Sequence, residues 1–268
     1  MLALYTAANG MKAMSTQVNV IANNLANVNT TAFKAERVLF QDLFYEQIQQ
    51  PGNLNNQGQA NPTSIQIGLG TQVAATENDF TQGDFQSTNN PLDIAIQGQG
   101  FFQVKIYQDV GGGVGYTRAG NFSVNAQGNL VQGGPDGFLL EPAITVPTNY
   151  TGITIMPDGT VNVTTPGNAN PQNIGQIQLA NFTNPQGLAQ IGGTVYVQTT
   201  ASGTPTVNDP GTQNAGTLLA GNLEMSNVDA VTELTNLIAA QRNYELNGRV
   251  VEAGNEMLTT TNNLTTGQ

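Results

Sequence analysis

Residues 226–262 read SNVDAVTELTNLIAAQRNYELNGRVVEAGNEMLTTTN, and their spacing decides the fold. Ala230, Leu237, Tyr244, Val251 and Leu258 recur every seven residues, with Leu234 and Ile238 beside them. That is the repeat of an apolar seam along one helix face. Ser226, with Asp229 three residues on, predicts a capping box, and Asp229 and Glu233 lie where the helix dipole favours carboxylates. Glu245 and Arg249 form an i, i+4 pair in the better orientation. No proline interrupts the run, although Gly248 and Gly254 weaken it. Such a helix is about 55 Å long, against a diameter of roughly 47 Å for a compact globule of this length. It is too long to lie inside a body made by its own chain.

The other end of the chain carries a matching stripe. Leu4, Ala7, Met11, Met14, Val18, Ile21, Leu25 and Val28 alternate spacings of three and four, interrupted by Asn9-Gly10. An ordinary core-facing amphipathic helix has the same stripe. Two such seams, one at each end, pair more naturally with each other as a coiled coil. One partner helix cannot cover both stripes and their flanks, so other molecules are expected to cover the rest. On that reading the ends are largely disordered in the free chain and fold on assembly. The first cation is Lys12, and no long apolar run precedes a small-residue cleavage site, so the start does not read as a secretory signal. No stretch approaches 18 consecutive apolar residues.

Between the ends the pattern changes. Residues 33–48 show a mixed period, and 51–64, PGNLNNQGQANPTS, read as an extended polar linker. From Ile65 to Thr217 the signals are β. Residues 101–106 and 194–198 read as strands, and 152–163 as a hairpin turning at Asp158-Gly159. Gly98-Gln99-Gly100 and Gly111 to Gly115 open no helix and precede no Gly-Lys-Ser/Thr, so they read as turns, not phosphate loops. The expected class is α+β: terminal helices paired as a coiled coil, a central all-β domain and an extended linker. The expected boundaries are 1–32, 33–75, 76–222 and 223–268.

Composition narrows the function. The chain has 268 residues and neither His, Cys nor Trp; 9% of residues are charged, the net charge is −11 and the pI about 4.1. Asn, Gln and Thr together number 91. Without His or Cys the usual zinc, iron–sulfur and Ser-His or Cys-His chemistries are excluded. Seven scattered cations give no footprint for nucleic acid or an anionic membrane, and no membrane insertion is expected. Asp79 with Asp84, or Asp136 with Glu141, would supply a glycosidase-type carboxylate pair. The low aromatic content and the need for acids as solubilisers argue against that use. No catalytic, cofactor or metal site is expected.

Several stretches carry a family resemblance. Ala22-Asn23-Asn24-Leu25-Ala26-Asn27-Val28-Asn29-Thr30-Thr31-Ala32-Phe33-Lys34 resembles the N-terminal signature of flagellar rod and hook proteins, with Ala32 where Gly is usual. Residues 93–102, 116–122, 181–188 and 221–228 resemble the family's β-domain motifs, and Gln241-Arg242-Asn243-Tyr244-Glu245 its C-terminal helix. The stretch Asp42 to Gly52, the polar segment after it and the overall length resemble rod rather than hook members. The resemblance implies a subunit exported without a cleaved signal by the flagellar type III apparatus. Such subunits polymerise helically with themselves and adjoin proximal rod proteins, the hook or its junction, and bushing ring proteins. It implies subunit contacts through Leu4, Met11, Met14, Val18, Ile21, Asn23, Asn24, Leu25, Asn27, Val28, Phe33, Leu234, Leu237, Ile238, Arg242, Tyr244, Val251 and Leu258. Linker contacts are implied at Asp42, Leu43, Tyr45, Ile48, Pro51 and Gly52. Either one of Asn23, Asn24 and Asn27, or Asn29, caps the C-terminus of the first helix, or the amides of Asn23, Asn24 and Asn27 bond neighbouring subunits. A proximal rod protein, a short hook-type subunit and a secreted β-domain adhesin are the alternatives.

Overall fold

The computed structural model describes residues 2–51, 63–106 and 111–266. The expected linker 51–64 lies mostly outside the described residues, Gly52 included. The chain forms two compact units.

The first unit contains α1 (Leu2–Ala26), β1 (Glu36–Asp42), β2 (Tyr45–Gln49), β3 (Ile65–Gly68), β4 (Thr71–Asn78) and, at the far end of the chain, α2 (Ala230–Thr266). The helices run antiparallel. The Leu4 side chain occupies the space beside Gly254, Gly10 lies against the Asn247 amide, and Asn24 bonds Glu233. At 37 residues α2 is about 55 Å long. Its start differs from the expected Ser226. Asp229 is the residue before the first turn: its Oδ1 accepts the Val231 N–H (3.0 Å) and its Oδ2 the Thr232 hydroxyl (2.6 Å). The Ser226 hydroxyl is taken by the Val228 N–H instead (3.3 Å), so the cap lies three residues later.

The first helix ends at Ala26, earlier than its stripe suggests. Asn27 accepts the Thr30 N–H and the Thr30 hydroxyl, both at 3.1 Å, and this local turn competes with further helix. Residues 36–49 and 65–78 then pair as a two-stranded antiparallel ribbon. β1 pairs with β4 from Glu36–Asn78 to Asp42–Thr71, and β2 with β3 from Tyr45–Gly68 to Gln49–Ile65. Burial alternates only over residues 36–39 and 71–74; most other ribbon positions are exposed on both faces.

The second unit holds short strands: β5 (Phe85–Ser87), β6 (Ile94–Gln97), β7 (Phe101–Lys105), β8 (Val114–Thr117), β9 (Phe122–Val124), β10 (Leu130–Gln132), β11 (Leu139–Glu141), β12 (Gly152–Ile155), β13 (Thr160–Thr165), β14 (Asn168–Gln176), β15 (Leu179–Asn181), β16 (Ala189–Gly192), β17 (Val195–Val197), β18 (Thr206–Asn208), β19 (Thr217–Ala220) and β20 (Asn222–Glu224). The main sheet runs β16-β17-β8-β7-β11-β10-β9, with β15 joining β7 to β18. β12-β13-β14 form a second sheet, and β19 pairs with β6 and β20 with β5. At the β12–β13 turn, Asp158 Oδ1 accepts the Thr160 N–H (3.0 Å). Adjacent strand residues point to opposite faces. Phe102 therefore enters the main core with Ile94, Ile96, Leu130, Leu140, Val161, Ile177 and Leu179, while Phe101 joins an aromatic cluster with Tyr116 and Tyr196.

Candidate functional site

On α1 the stripe is turned inward. Leu4, Met11, Met14, Val18 and Leu25 are half-buried, Ala7 and Ile21 buried. Val28 is half-buried but lies beyond the helix. On α2 the expected seam divides. Leu237 and Val251 are half-buried, whereas Leu234, Ile238, Arg242, Tyr244 and Leu258 remain exposed. The residues against α1 also include Glu233, Ala240, Asn247 and Gly254, again every seventh position. These four are acidic, small or polar, and carried no signal in an apolar pattern. At Gly254 and Gly10 the missing Cβ makes room for a side chain of the other helix: a Cβ there would stand 2.6 Å from Leu4 and 3.1 Å from Asn247. Further apolar side chains on α2 face outward, among them Val231 (73% exposed), Leu246, Val250, Met257 and Leu264 (73%).

Asn24 has a role of its own. It is 1% exposed; its Nδ2 donates to the Glu36 carbonyl (2.8 Å) and its Oδ1 accepts the Glu36 N–H (2.9 Å). One amide thus binds both backbone groups of the first ribbon residue to α1. Nδ2 also reaches Glu233 Oε1 at 3.5 Å, and Glu233 Oε2 is buried without a hydrogen bond. Burial pushes the Glu233 carboxyl above its ordinary value; the Asn24 bond works against this and Asp229 adds to it. Asn24 therefore neither caps α1 nor projects from the chain. Asn23 is exposed, and Asn27 closes the turn after α1.

In the ribbon Asp42, Tyr45, Ile48 and Pro51 are exposed and Leu43 is half-buried, its N–H bonded to the Gly70 carbonyl (2.9 Å). Phe44, between β1 and β2, is 91% exposed.

The second unit brings together three scarce charges from three separate motifs. Lys34 Nζ donates to Glu224 Oε1 (2.7 Å) and to the Thr81 carbonyl (2.6 Å). Arg118 Nε lies 3.1 Å from Glu224 Oε2, and Arg118 also donates to the Gly98 carbonyl. All three side chains are at most 5% exposed. Burial pushes Lys34 and Arg118 below their ordinary values, with Glu224 opposing it in both. Glu224 also accepts the Gly83 N–H (3.1 Å), and its carbonyl accepts the Ala32 N–H (2.8 Å). A Cβ on Gly83 would stand 2.2 Å from the Met225 carbonyl, so only glycine fits there. Asn227 adds to this network within the second unit, accepting the Ala35 N–H (2.7 Å) and donating to the Asp79 carbonyl (2.8 Å). Phe33 is buried here, and Ala32 sits at φ 56°, the left-handed region that glycine takes more readily. Lys34, Arg118 and Glu224 each lay inside a motif read from the sequence; the sign that they belong together was their scarcity.

Among the described residues, no helix is long and apolar enough to cross a membrane, and no three Asp or Glu side chains gather as a metal site.

The same three segments match known families. A family described as flagella basal body rod protein covers residues 4–34. The flagellar hook protein FlgE/F/G D1 domain covers 95–163, and the flagellar basal body rod FlgEFG protein C-terminal family covers 219–264. The flagellar basal-body rod protein FlgG of Caulobacter vibrioides is 46% identical over 265 residues, spanning 98% of this chain and 99% of its own. FlgG of Agrobacterium fabrum is 44% identical, covering 96% and 97% of the two chains. FlgG of Bacillus subtilis is 38% identical, covering 95% and 96%. With identity of this level over nearly the whole length, and with the two ends of the chain folded into one helix pair, the chain belongs to the FlgG family of flagellar basal-body rod proteins.

Proposed function

We propose that this chain is the structural subunit of the distal flagellar rod, polymerising helically into the shaft that transmits torque from motor to hook. The observation that carries the reading is α2, whose apolar side chains stand exposed on several faces although α1 already covers one. Apolar side chains exposed in this number along one helix are removed from water when further helices pack on it. The helix pair acts as a coiled coil in the inner tube, formed from 1–32 and 223–268. Residues 33–75 serve as the linker and 76–222 as the outer domain, a division by role. Exposed Leu234, Ile238, Arg242, Tyr244, Leu258 and Asn23 contact other copies, while Ile21, Asn24 and Phe33 support the fold from inside. The ribbon bridges adjacent copies and stiffens the shaft. The neighbours are proximal rod proteins, the hook or its junction and the bushing rings, with the rod spanning the periplasm after export without a cleaved signal. No catalysis is assigned to the chain.

Electron microscopy of the concentrated purified chain tests this. Rods are expected; a monodisperse monomer at every concentration would overturn polymerisation. Deleting 51–64 is expected to yield flexible or abnormally long rods, and unaltered stiffness and length would remove the ribbon from the account.

A further inference from the structure

The second unit contains a cavity of about 220 Å³. Its floor is Phe101 and Arg118, its walls Phe80 and Phe182, and its rim includes exposed Thr183. An apolar cavity of about 150 Å³ takes a benzene ring, so this one takes a phenyl group with its methylene. The rings already present meet edge to face: Phe80 and Phe101 at 5.4 Å and 80°, Phe101 and Phe182 at 5.9 Å and 72°. One more ring continues that arrangement. The Arg118 guanidinium lies 5.9 Å from the Phe101 ring centroid, a cation suited to an aromatic face. Asn181 Oδ1, at the wall, is buried and accepts no hydrogen bond. The cavity therefore suits an aromatic side chain on an extended segment that can offer an N–H.

The ribbon offers such a segment. Phe44 falls between the β1–β4 and β2–β3 registers, and at 91% it is the most exposed large apolar side chain among the described residues. Exposed Asp42 and Glu46 flank it. Arg118 on the cavity floor is a cation, and the buried cluster behind it holds a second, Lys34, against one carboxylate, Glu224, so the charges are complementary.

We infer that Phe44 of one copy inserts into the Phe80–Phe101–Arg118–Phe182 cavity of a neighbouring copy. Knob and hole lie at different places on one chain, so the contact is heterologous and repeats without closing, as an open filament requires. The inference rests on the polymer proposed above and names what its ribbon grips.

The test places the photo-crosslinker p-benzoylphenylalanine at position 44 in flagellated cells, followed by isolation of basal bodies. A dimer-sized product whose crosslinked peptide contains Phe80, Phe182 or Thr183 supports the inference. A product on helix residues of another copy, or one within a single chain, overturns it while leaving the polymer standing. As a second variant, Thr183→Trp blocks the rim. Rod yield is expected to fall at least tenfold with the circular dichroism of the purified chain unchanged. Full yield overturns the inference. Failure of the unmodified chain to form rods overturns both readings.

Discussion

Glu224 is the only carboxylate in a buried group with two cations, so its three members are not equivalent. Removing Glu224 leaves Lys34 and Arg118 as like charges out of water. Breaking a buried ionic group in this way costs about 3–5 kcal/mol. Removing Lys34 instead leaves a one-to-one pair, and the Thr81 carbonyl keeps its bond from Asn227 Nδ2 (3.2 Å), so the loss is only about 1–3 kcal/mol. Urea unfolding followed by the near-ultraviolet signal of Tyr116 and Tyr196 should therefore show Glu224→Gln well below Lys34→Met. The reverse order would mean that the cluster is not organised around its carboxylate. None of this was legible beforehand as a site. The resemblance reached all three motifs, but Lys34 and Arg118 lie far from Glu224 along the chain, and nothing in local pattern says which charges a β-domain will bury together.

At the scale of the elements, α2 was readable where its partner-facing residues are apolar and silent where they are not. Leu237 and Val251 announced the repeat, whereas Glu233, Ala240, Asn247 and Gly254 did not. The ribbon of residues 36–49 and 65–78 was obscured differently: its strands are exposed on both faces over most of their length, so alternation is confined to short stretches. Two outcomes follow for the helix pair. Glu233 has its carboxyl raised above the ordinary 4.5, chiefly by burial. An acid whose folded value is raised gives stability that is full below its unfolded value and lost as pH rises through the folded one. Glu233→Gln should thus melt higher than the parent at pH 7, with the gap closing below about pH 4.5; a gap constant with pH would show that ionisation of Glu233 is not the cause. Gly248 is half-buried, yet a Cβ there meets nothing within 4 Å in the single chain. Gly248→Ala should accordingly stabilise α2 by about 1 kcal/mol, read as a higher thermal midpoint in far-ultraviolet circular dichroism.

For the molecule as a whole, the scarcity of charge governs how copies hold together. There are seven Lys and Arg side chains in all, and the structure buries two of them, Lys34 and Arg118, inside the second unit. Arg37 is engaged with Glu77 on the ribbon (3.1 Å). Few cations are left to pair across an interface, while every copy carries a net charge of −11. Contacts between copies then rest mainly on apolar side chains and neutral amides, with few ion pairs among them, and the long-range force between copies is repulsive. Salt shortens the reach of that repulsion from about 30 Å at 0.01 M to about 3 Å at 1 M. Polymer held together by ion pairs dissolves as salt rises; this polymer should instead persist from 0.1 to 1 M sodium chloride at neutral pH and loosen only at the lowest ionic strength. Sedimentation of assembled rods across that series measures it directly, and release of monomer on raising the salt would show that ion pairs, not seams, join the copies.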